Sequence, residues 1–264
     1  MVVRFLVFAL CFVILGLAEH ISPRKKAPGK NLKRRFSNLM LIAIGSGIML
    51  FFVPVKAVSL ASMVRERGWS LFSFLGVGPY WQVILSVVFF DLLIYFQHVL
   101  FHAVPALWRL HMVHHSDNHL DFTTGLRFHP LEILLSAFLK AGAAAALGPP
   151  VTGVVAFELI LNAMSMFTHS NLALPERMDR FLRLLIVTPD MHRVHHSVII
   201  KETNSNFGFN LSIWDRLFGT YKKLPKLGVL KTPIGLSQYQ KDPPSDIKGL
   251  LILPFTGKPG TYSF

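Results

Sequence analysis

The chain has 264 residues, of which 52% are hydrophobic and only 16% are charged. Because soluble domains carry about 25% charged residues, this composition favours an integral membrane protein the size of one domain. The formal net charge is +13. The basic residues are concentrated in two segments, 22–35 and 222–231, that flank apolar runs, so they indicate binding to an anionic membrane surface and not to nucleic acid. The single cysteine, Cys11, excludes an intrachain disulfide and a cysteine-based zinc site.

Three apolar runs in the first hundred residues predict membrane helices, since about 20 apolar residues span a bilayer. They cover 5–18, 37–60 and 81–100. We expect Pro54 to kink the second helix. A cleaved signal peptide is the alternative for the first run, but most basic residues follow its apolar core, which favours a retained helix. The positive-inside rule places the basic segment 24–35 in the cytoplasm and the 64–69 turn outside.

Two shorter apolar runs follow the third one. They cover 131–148 and 151–170. The Gly148-Pro149-Pro150 sequence between them indicates a turn. Lys140 and Glu158 interrupt the runs, so the pair is expected either as a re-entrant hairpin or as two crossings. In both cases its two ends emerge on the same side, which puts residues 101–130 and 169–264 together in the cytoplasm.

Histidine is the unusual residue of this sequence, because eleven of its twelve copies lie between positions 98 and 196. Three clusters have spacings that bring their rings to one face of a helix. The clusters are His98-x3-His102, His111-x2-His114-His115 and His192-x2-His195-His196. Eight imidazoles exceed the needs of one ion, so the pattern predicts two metal ions. Two ions can hold O2 between them, and iron or copper can change oxidation state whereas zinc cannot.

The order and spacing of these three histidine boxes resemble those of the fatty acid hydroxylase / sterol desaturase superfamily. The segments 108–130, 188–197 and 203–221 are similar to its second box, its third box and the stretch that follows. The resemblance covers roughly residues 85–225. It implies a membrane-bound oxidoreductase with two Fe ions, which uses O2 and a separate electron-donor protein to hydroxylate or desaturate a lipid, either a fatty acyl chain or a sterol. Many members carry an arginine where this chain has Val99. This difference weakens the transfer of any substrate assignment from the family, but not the transfer of the metal site.

The resemblance assigns a metal-ligand role to nine histidines, position by position. They are His98, His102, His111, His114, His115, His169, His192, His195 and His196. For His169 the alternative is a hydrogen bond that closes the end of the hairpin. His129, Asp91 and Asn206 are expected either as additional ligands or as residues that hold the ligands in place, and ordinary turn or structural roles are the alternatives. His119 is expected to be solvent-exposed.

The sequence therefore predicts an all-α protein with a stalk of membrane helices and a cytoplasmic helical cap that holds the histidine-rich dimetal site. We expect N-terminal membrane helices at 1–80, a catalytic domain at 81–225 and an interfacial tail at 226–264. A lipid would enter from the bilayer through an apolar tunnel. The second hypothesis is a non-catalytic, histidine-rich metal-binding or transport protein, but the first two helices nearly lack the polar residues of a transport path.

Overall fold

The computed structural model describes residues 2–26, 32–53 and 55–260, so the kink expected at Pro54 falls outside the described residues. Within these ranges the chain is helical and holds no β-strand, apart from isolated bridges. The all-α prediction is therefore confirmed. The elements are α1 (Val2–Ile21), α2 (Leu32–Phe52), α3 (Ala57–Glu66), α4 (Leu71–Phe74), α5 (Pro79–Ala103), α6 (Pro105–His115), a 3₁₀ turn (Phe122–Leu126), α7 (Pro130–Leu147), α8 (Val151–His169), α9 (Glu176–Leu182), α10 (Pro189–His195), α11 (Ile200–Thr203), α12 (Ile213–Leu217), a second 3₁₀ turn (Ser237–Tyr239) and α13 (Ile247–Thr256).

Five stretches of the described chain are long and apolar enough to cross a membrane, with mean hydropathies between 1.5 and 2.1. They are Val3–Ile21, Leu32–Glu66, Pro79–Ala103, Pro130–Leu147 and Val151–His169. Large apolar side chains such as Phe5, Leu10 and Phe51 are exposed on them, as lipid-facing helices require. The helices fit a multi-pass membrane protein. The cytoplasmic location of the cap stays a prediction.

The pair α7–α8 forms the expected hairpin. α7 ends at Leu147 and is capped by Gly148, whose φ of 55° lies in the left-handed region that favours glycine. A Cβ there would clash with the carbonyl oxygen of Trp69, and the Trp69 indole donates to the Ala146 carbonyl at 2.9 Å. The hairpin turn thus packs on the segment that follows α3. With 18 and 19 residues, both helices rise about 27 Å, so His129 and His169 lie at the far end of the bundle.

The helix α5 packs along α8. Phe90 of α5 stacks on Phe157 of α8 with ring centroids 5.2 Å apart, in a core shared with α3 and α7. Gly153 of α8 brings the two backbones close, because a Cβ there would lie 2.7 Å from that of Ser86. Small residues at such crossings are typical of membrane helices. This packing fixes the last turns of α5, which carry the first histidine box.

The C-terminal segment covers α6. Trp108 and Met112 of α6 are buried against Leu236, Leu250 and Leu253 from the chain after the third box. The Trp108 indole also donates to the carbonyl of Pro259 at 2.9 Å. The second histidine box is therefore shielded by the tail. The division into three units stays a prediction.

Candidate metal centre

Nine histidines converge where the ends of α5, α6 and α8 meet α10. Each of the nine is at most 6% exposed. Proline in the first turn sets the start of α6 and of α10, since its fixed φ suits a helix beginning. The Thr188 hydroxyl also caps α10 by accepting from the Met191 amide at 3.3 Å. The positions at which α6 and α10 begin set which of their faces point inward. The nine histidines that converge here are the nine to which the resemblance assigned a metal-ligand role.

The nine rings divide into two groups. Within each group, one candidate ligand atom per histidine lies within 4.8 Å of the others. The first group is His98, His102, His111, His115 and His195, and the second group is His114, His169, His192 and His196. The boxes on α6 and α10 each contribute to both groups. Pairs four residues apart stay together, and the remaining histidine of each box turns to the other group.

The second group is closely convergent. The Nε2 atom of His169 lies 2.9 Å from that of His114 and 3.0 Å from that of His192, which in turn lies 3.3 Å from that of His196. Ligands of a tetrahedral ion with bonds of about 2.1 Å are about 3.4 Å apart. Four converging ring nitrogens at these separations fit a metal ion better than hydrogen bonds among themselves, because neutral rings offer one proton each.

In the first group, four rings are held through their Nδ1 atoms. The partners of Nδ1 are the Phe207 carbonyl for His98 (2.8 Å), the Asn204 Oδ1 for His102 (3.1 Å), the Glu132 Oε1 for His111 (2.7 Å) and the Ser205 carbonyl for His195 (2.9 Å). Such acceptors fix the proton on Nδ1 and leave the Nε2 lone pair free. All four Nε2 atoms are buried without a partner in the described chain. Since an unpaired buried group costs about 1–3 kcal/mol, the donor set fits a metal ion.

The electrostatic setting keeps five of these rings neutral. Burial, followed by the neighbouring histidines, holds the ring pKa well below its usual value at five positions outside the membrane helices. They are His114, His115, His192, His195 and His196. A neutral imidazole has a lone pair to give to a metal, whereas a protonated one has none. The site is therefore prepared for metal binding at neutral pH.

Two side chains that orient the rings were missed by the sequence analysis. Glu132 is 5% exposed and binds His111, and Asn204 binds His102. Glu132 had a usable signal, because it is an acidic residue in an apolar run, two residues after Pro130. Asn204 lies in a polar stretch where nothing distinguishes it from Asn206. The carbonyl groups of Ser205 and Phe207 leave no trace in the sequence at all.

Asp91 lies outside both histidine groups. Its carboxylate accepts from the Trp214 indole at 2.8 Å and from the Leu211 amide at 3.1 Å. It contacts the segment that follows the third box, which also contains the Phe207 carbonyl bound to His98. The influence of Asp91 on the centre is therefore indirect, through the position of that segment.

Asn206 and His129 also lie outside the two groups. The Asn206 amide donates to the Met191 carbonyl at 2.9 Å and accepts from the Lys222 amide at 2.7 Å, which ties α10 to the chain after α12. His129 caps α7, since its Nδ1 accepts from the Leu131 amide at 3.2 Å. His119 is half-buried, so it is less exposed than the sequence predicted.

A cavity of about 150 Å³ adjoins the first group. His98 and His111 line its histidine end, and residues of α2, α5, α7 and α8 form most of the remaining wall. Ile94, Ile133 and Leu161 are among the apolar ones. A space that begins at the ring nitrogens and continues between membrane helices is suited to the chain of a lipid.

Comparison with known proteins places this geometry in a family. Residues 83–220 match the family model described as fatty acid hydroxylase, which is just over half of the chain. The chain is 33% identical over 244 residues to ornithine lipid hydroxylase OlsE from Rhizobium tropici, with 88% of this chain and 70% of that protein covered. It is 29% identical over 218 residues to alkylglycerol monooxygenase from Danio rerio, with 80% and 46% covered.

A third relative is the very-long-chain aldehyde decarbonylase GL1-11 from Oryza sativa subsp. indica, 29% identical over 236 residues, with 84% of this chain and 85% of that protein covered. The chain spans less than half the length of the Danio rerio monooxygenase. No solved structure has significant similarity to it. The family model, the OlsE match and the two histidine groups agree, and the chain belongs to the fatty acid hydroxylase family.

Proposed function

We propose that this protein is a membrane-bound di-iron oxygenase that hydroxylates a lipid, using O2 and electrons from a separate donor protein. The observation that carries the proposal is the pair of buried histidine groups, with ring nitrogens that fit two ions. Two relatives are named as a lipid hydroxylase and an alkylglycerol monooxygenase, which supports oxygen insertion into a lipid. Desaturation of a fatty acyl or sterol substrate is the alternative outcome of the same centre.

Each histidine group would hold one iron ion. The ions would supply the redox capacity that activation of O2 requires and that protein side chains lack. The protein's own contribution is to hold the rings. Glu132 and Asn204 fix two rings of the first group, and the carbonyls of Ser205 and Phe207 fix two more. Burial of all nine rings keeps bulk water away from the reacting carbon.

The lipid would reach the centre from the bilayer through the cavity between α2, α5, α7 and α8. A chain in this cavity lies beside His98 and His111, so one of its carbons is held next to the first group. Positioning of this kind replaces a random encounter with a fixed geometry. The position oxidised would then depend on how far the chain can advance.

The histidine boxes would face the cytoplasm. Arg24 and Lys25, which follow α1, lie at the histidine end of the bundle, because Arg24 pairs with Asp190 of α10 at 2.6 Å and the Lys25 ammonium donates to the Thr232 carbonyl at 3.0 Å. Positive charge concentrates on the cytoplasmic side of membrane proteins. This placement supports a cytoplasmic electron donor that reaches the centre from that side.

The test is oxygen incorporation. Protein purified with iron, mixed with a reductant, a donor protein and total membrane lipid, should transfer one atom from ¹⁸O2 to a lipid product detected by mass spectrometry. A product lighter by two hydrogens and free of label would support desaturation. Protein that carries metal but neither consumes O2 nor changes any lipid would contradict the proposal and favour non-catalytic metal binding.

A further inference from the structure

The largely apolar cavity beside the first group has one polar stripe in its wall. Glu132, Ser136 and Lys140 all line it, and their spacing of four residues puts them on one face of α7. This polar stripe extends about 12 Å along the helix. If the cavity bound only hydrocarbon, these polar side chains would lack partners inside the membrane, which costs free energy. The stripe therefore points to a ligand with polar atoms of its own.

Two buried acceptor atoms belong to residues of this cavity and lack donors. They are the Oε1 of Gln97 and the Oε2 of Glu132, which have no hydrogen-bond partner in the described chain. The other oxygen of Glu132, Oε1, accepts from His111, so Oε2 is the unpaired one. Both residues lie beside candidate metal ligands, Gln97 next to His98 in sequence and Glu132 in direct contact with His111.

The opposite end of the stripe carries a cation. Lys140 forms no ion pair within 4 Å among the residues that the structure describes. The neighbouring acid Glu158 is already paired with Arg4 at 2.7 Å. The cavity thus offers acceptors near the histidines and a donor about two helical turns away. A plain hydrocarbon chain satisfies neither end.

We infer that the cavity binds the polar part of an amphiphilic lipid, and that the substrate carries a hydroxyl or N–H group close to the carbon that is oxidised. The Oε1 of Gln97 and the Oε2 of Glu132 each accept from one O–H or N–H donor of this polar part, and an ester, amide or other acceptor accepts from Lys140. That this lipid is a substrate rests on the proposed function, but the recognition of its donors does not. A lipid without the donor would leave both acceptors unpaired, and discrimination on this basis is strong in buried sites.

The experiment compares 1-monooleoylglycerol with its di-O-methyl ether, which keeps the acyl chain and the ester but carries methoxy groups in place of both hydroxyl donors; the Gln97 variants below separate the loss of the donors from the added size of the methyl groups. Their retention by the purified full chain in detergent is measured by native mass spectrometry, with and without iron. We expect the wild type to bind the hydroxyl lipid about tenfold more tightly. Gln97→Leu should lower this preference severalfold, and Gln97→Glu, which keeps an acceptor, should retain it. The control Gln238→Leu makes the same change in the half-buried 3₁₀ turn near the C-terminus, outside the cavity, and should leave the preference unchanged.

Equal binding of the two lipids by the wild type would overturn the inference, whatever any variant does. So would an undiminished preference in folded Gln97→Leu protein. The oxygenase assignment fails separately. If ¹⁸O2 labels no lipid but the hydroxyl preference is present and depends on Gln97, then donor recognition holds and the proposed reaction is wrong. If both lipids are oxidised equally well, the reaction holds and the inference is wrong.

Discussion

At the scale of single residues, the centre depends on imidazole rings whose Nδ1 atoms are fixed by hydrogen bonds to protein acceptors. His195 shows the arrangement, with its Nδ1 bound to the Ser205 carbonyl and its Nε2 buried without a partner. His119 is the useful contrast, because it lies close in sequence to the second box but belongs to neither group. The two differ in whether a metal would complete their bonding, and this difference can be measured.

His195→Ala removes a ring of the first group, so the iron content should fall from about two ions per chain towards one. Activity should drop by more than the roughly 10–100-fold that is typical of losing an outer partner. His119→Ala should keep both. Elemental analysis and product formation on protein of equal membrane yield decide the matter. Full activity in His195→Ala, or one ion in the active wild type, would refute a dinuclear centre.

Glu132 acts on the metal site through His111. Glu132→Ala leaves that Nδ1 without its acceptor, so iron affinity or activity should fall by roughly 10–100-fold. Glu132→Gln keeps an acceptor oxygen and should recover part of the loss. Equilibrium competition with a chelator measures the affinity. If the alanine variant binds iron as tightly as the wild type, the contact has no role in holding the ring.

At the scale of elements, the α7–α8 hairpin and its glycine carry a stability prediction. Gly148→Ala forces an L residue into the left-handed region and against the Trp69 carbonyl, so it should destabilise the fold by more than about 1 kcal/mol. Gly142→Ala is the matched control in α7. Its Cβ meets nothing within 4 Å, and alanine is the better helix former by about 0.5–1 kcal/mol. Thermal unfolding in detergent should give a lower Tm for the first variant only; equal Tm values would contradict the hairpin geometry.

Helices and boxes were predictable because hydropathy and the spacing of three and four residues are properties of the sequence itself. The division of the nine rings was not, since it depends on how α6 and α10 are rotated against α5 and α8. His114 and His115 are neighbours in sequence but belong to different groups. The acceptors behind the rings were also hidden, because two are backbone carbonyls that any residue carries. The role of Asp91 could not be read from the sequence for a related reason, because its partners Leu211 and Trp214 lie about 120 residues away in the chain.

At the scale of the whole molecule, the bundle has two chemically distinct ends. One end holds the histidines together with the basic residues Arg24 and Lys25, and the other holds the hairpin turn packed on the 69–70 segment. A membrane oriented by the positive-inside rule places these ends on opposite sides. Residues 169–264 should then share the cytoplasm with the boxes.

Reporter fusions at Ser70 and at the C-terminus should therefore report opposite sides of the membrane, with the C-terminal one cytoplasmic. Paired reporters that are active only inside or only outside the cytoplasm make the comparison within one cell. A fusion at Ser116, which follows the second box, should agree with the C-terminal one. Finding Ser70 and the C-terminus on one side would contradict the orientation.

The two metal positions are joined through common rigid bodies, because α6 and α10 each supply rings to both groups. An ion bound in either group restrains both helices, so the protein loses less conformational entropy when the second ion binds. Loading should therefore be cooperative, and the singly loaded chain should stay scarce throughout a titration. Native mass spectrometry with Co²⁺ as the probe counts the species with zero, one and two ions. A statistical distribution, with the one-ion form dominant at half saturation, would show that the two positions fill independently.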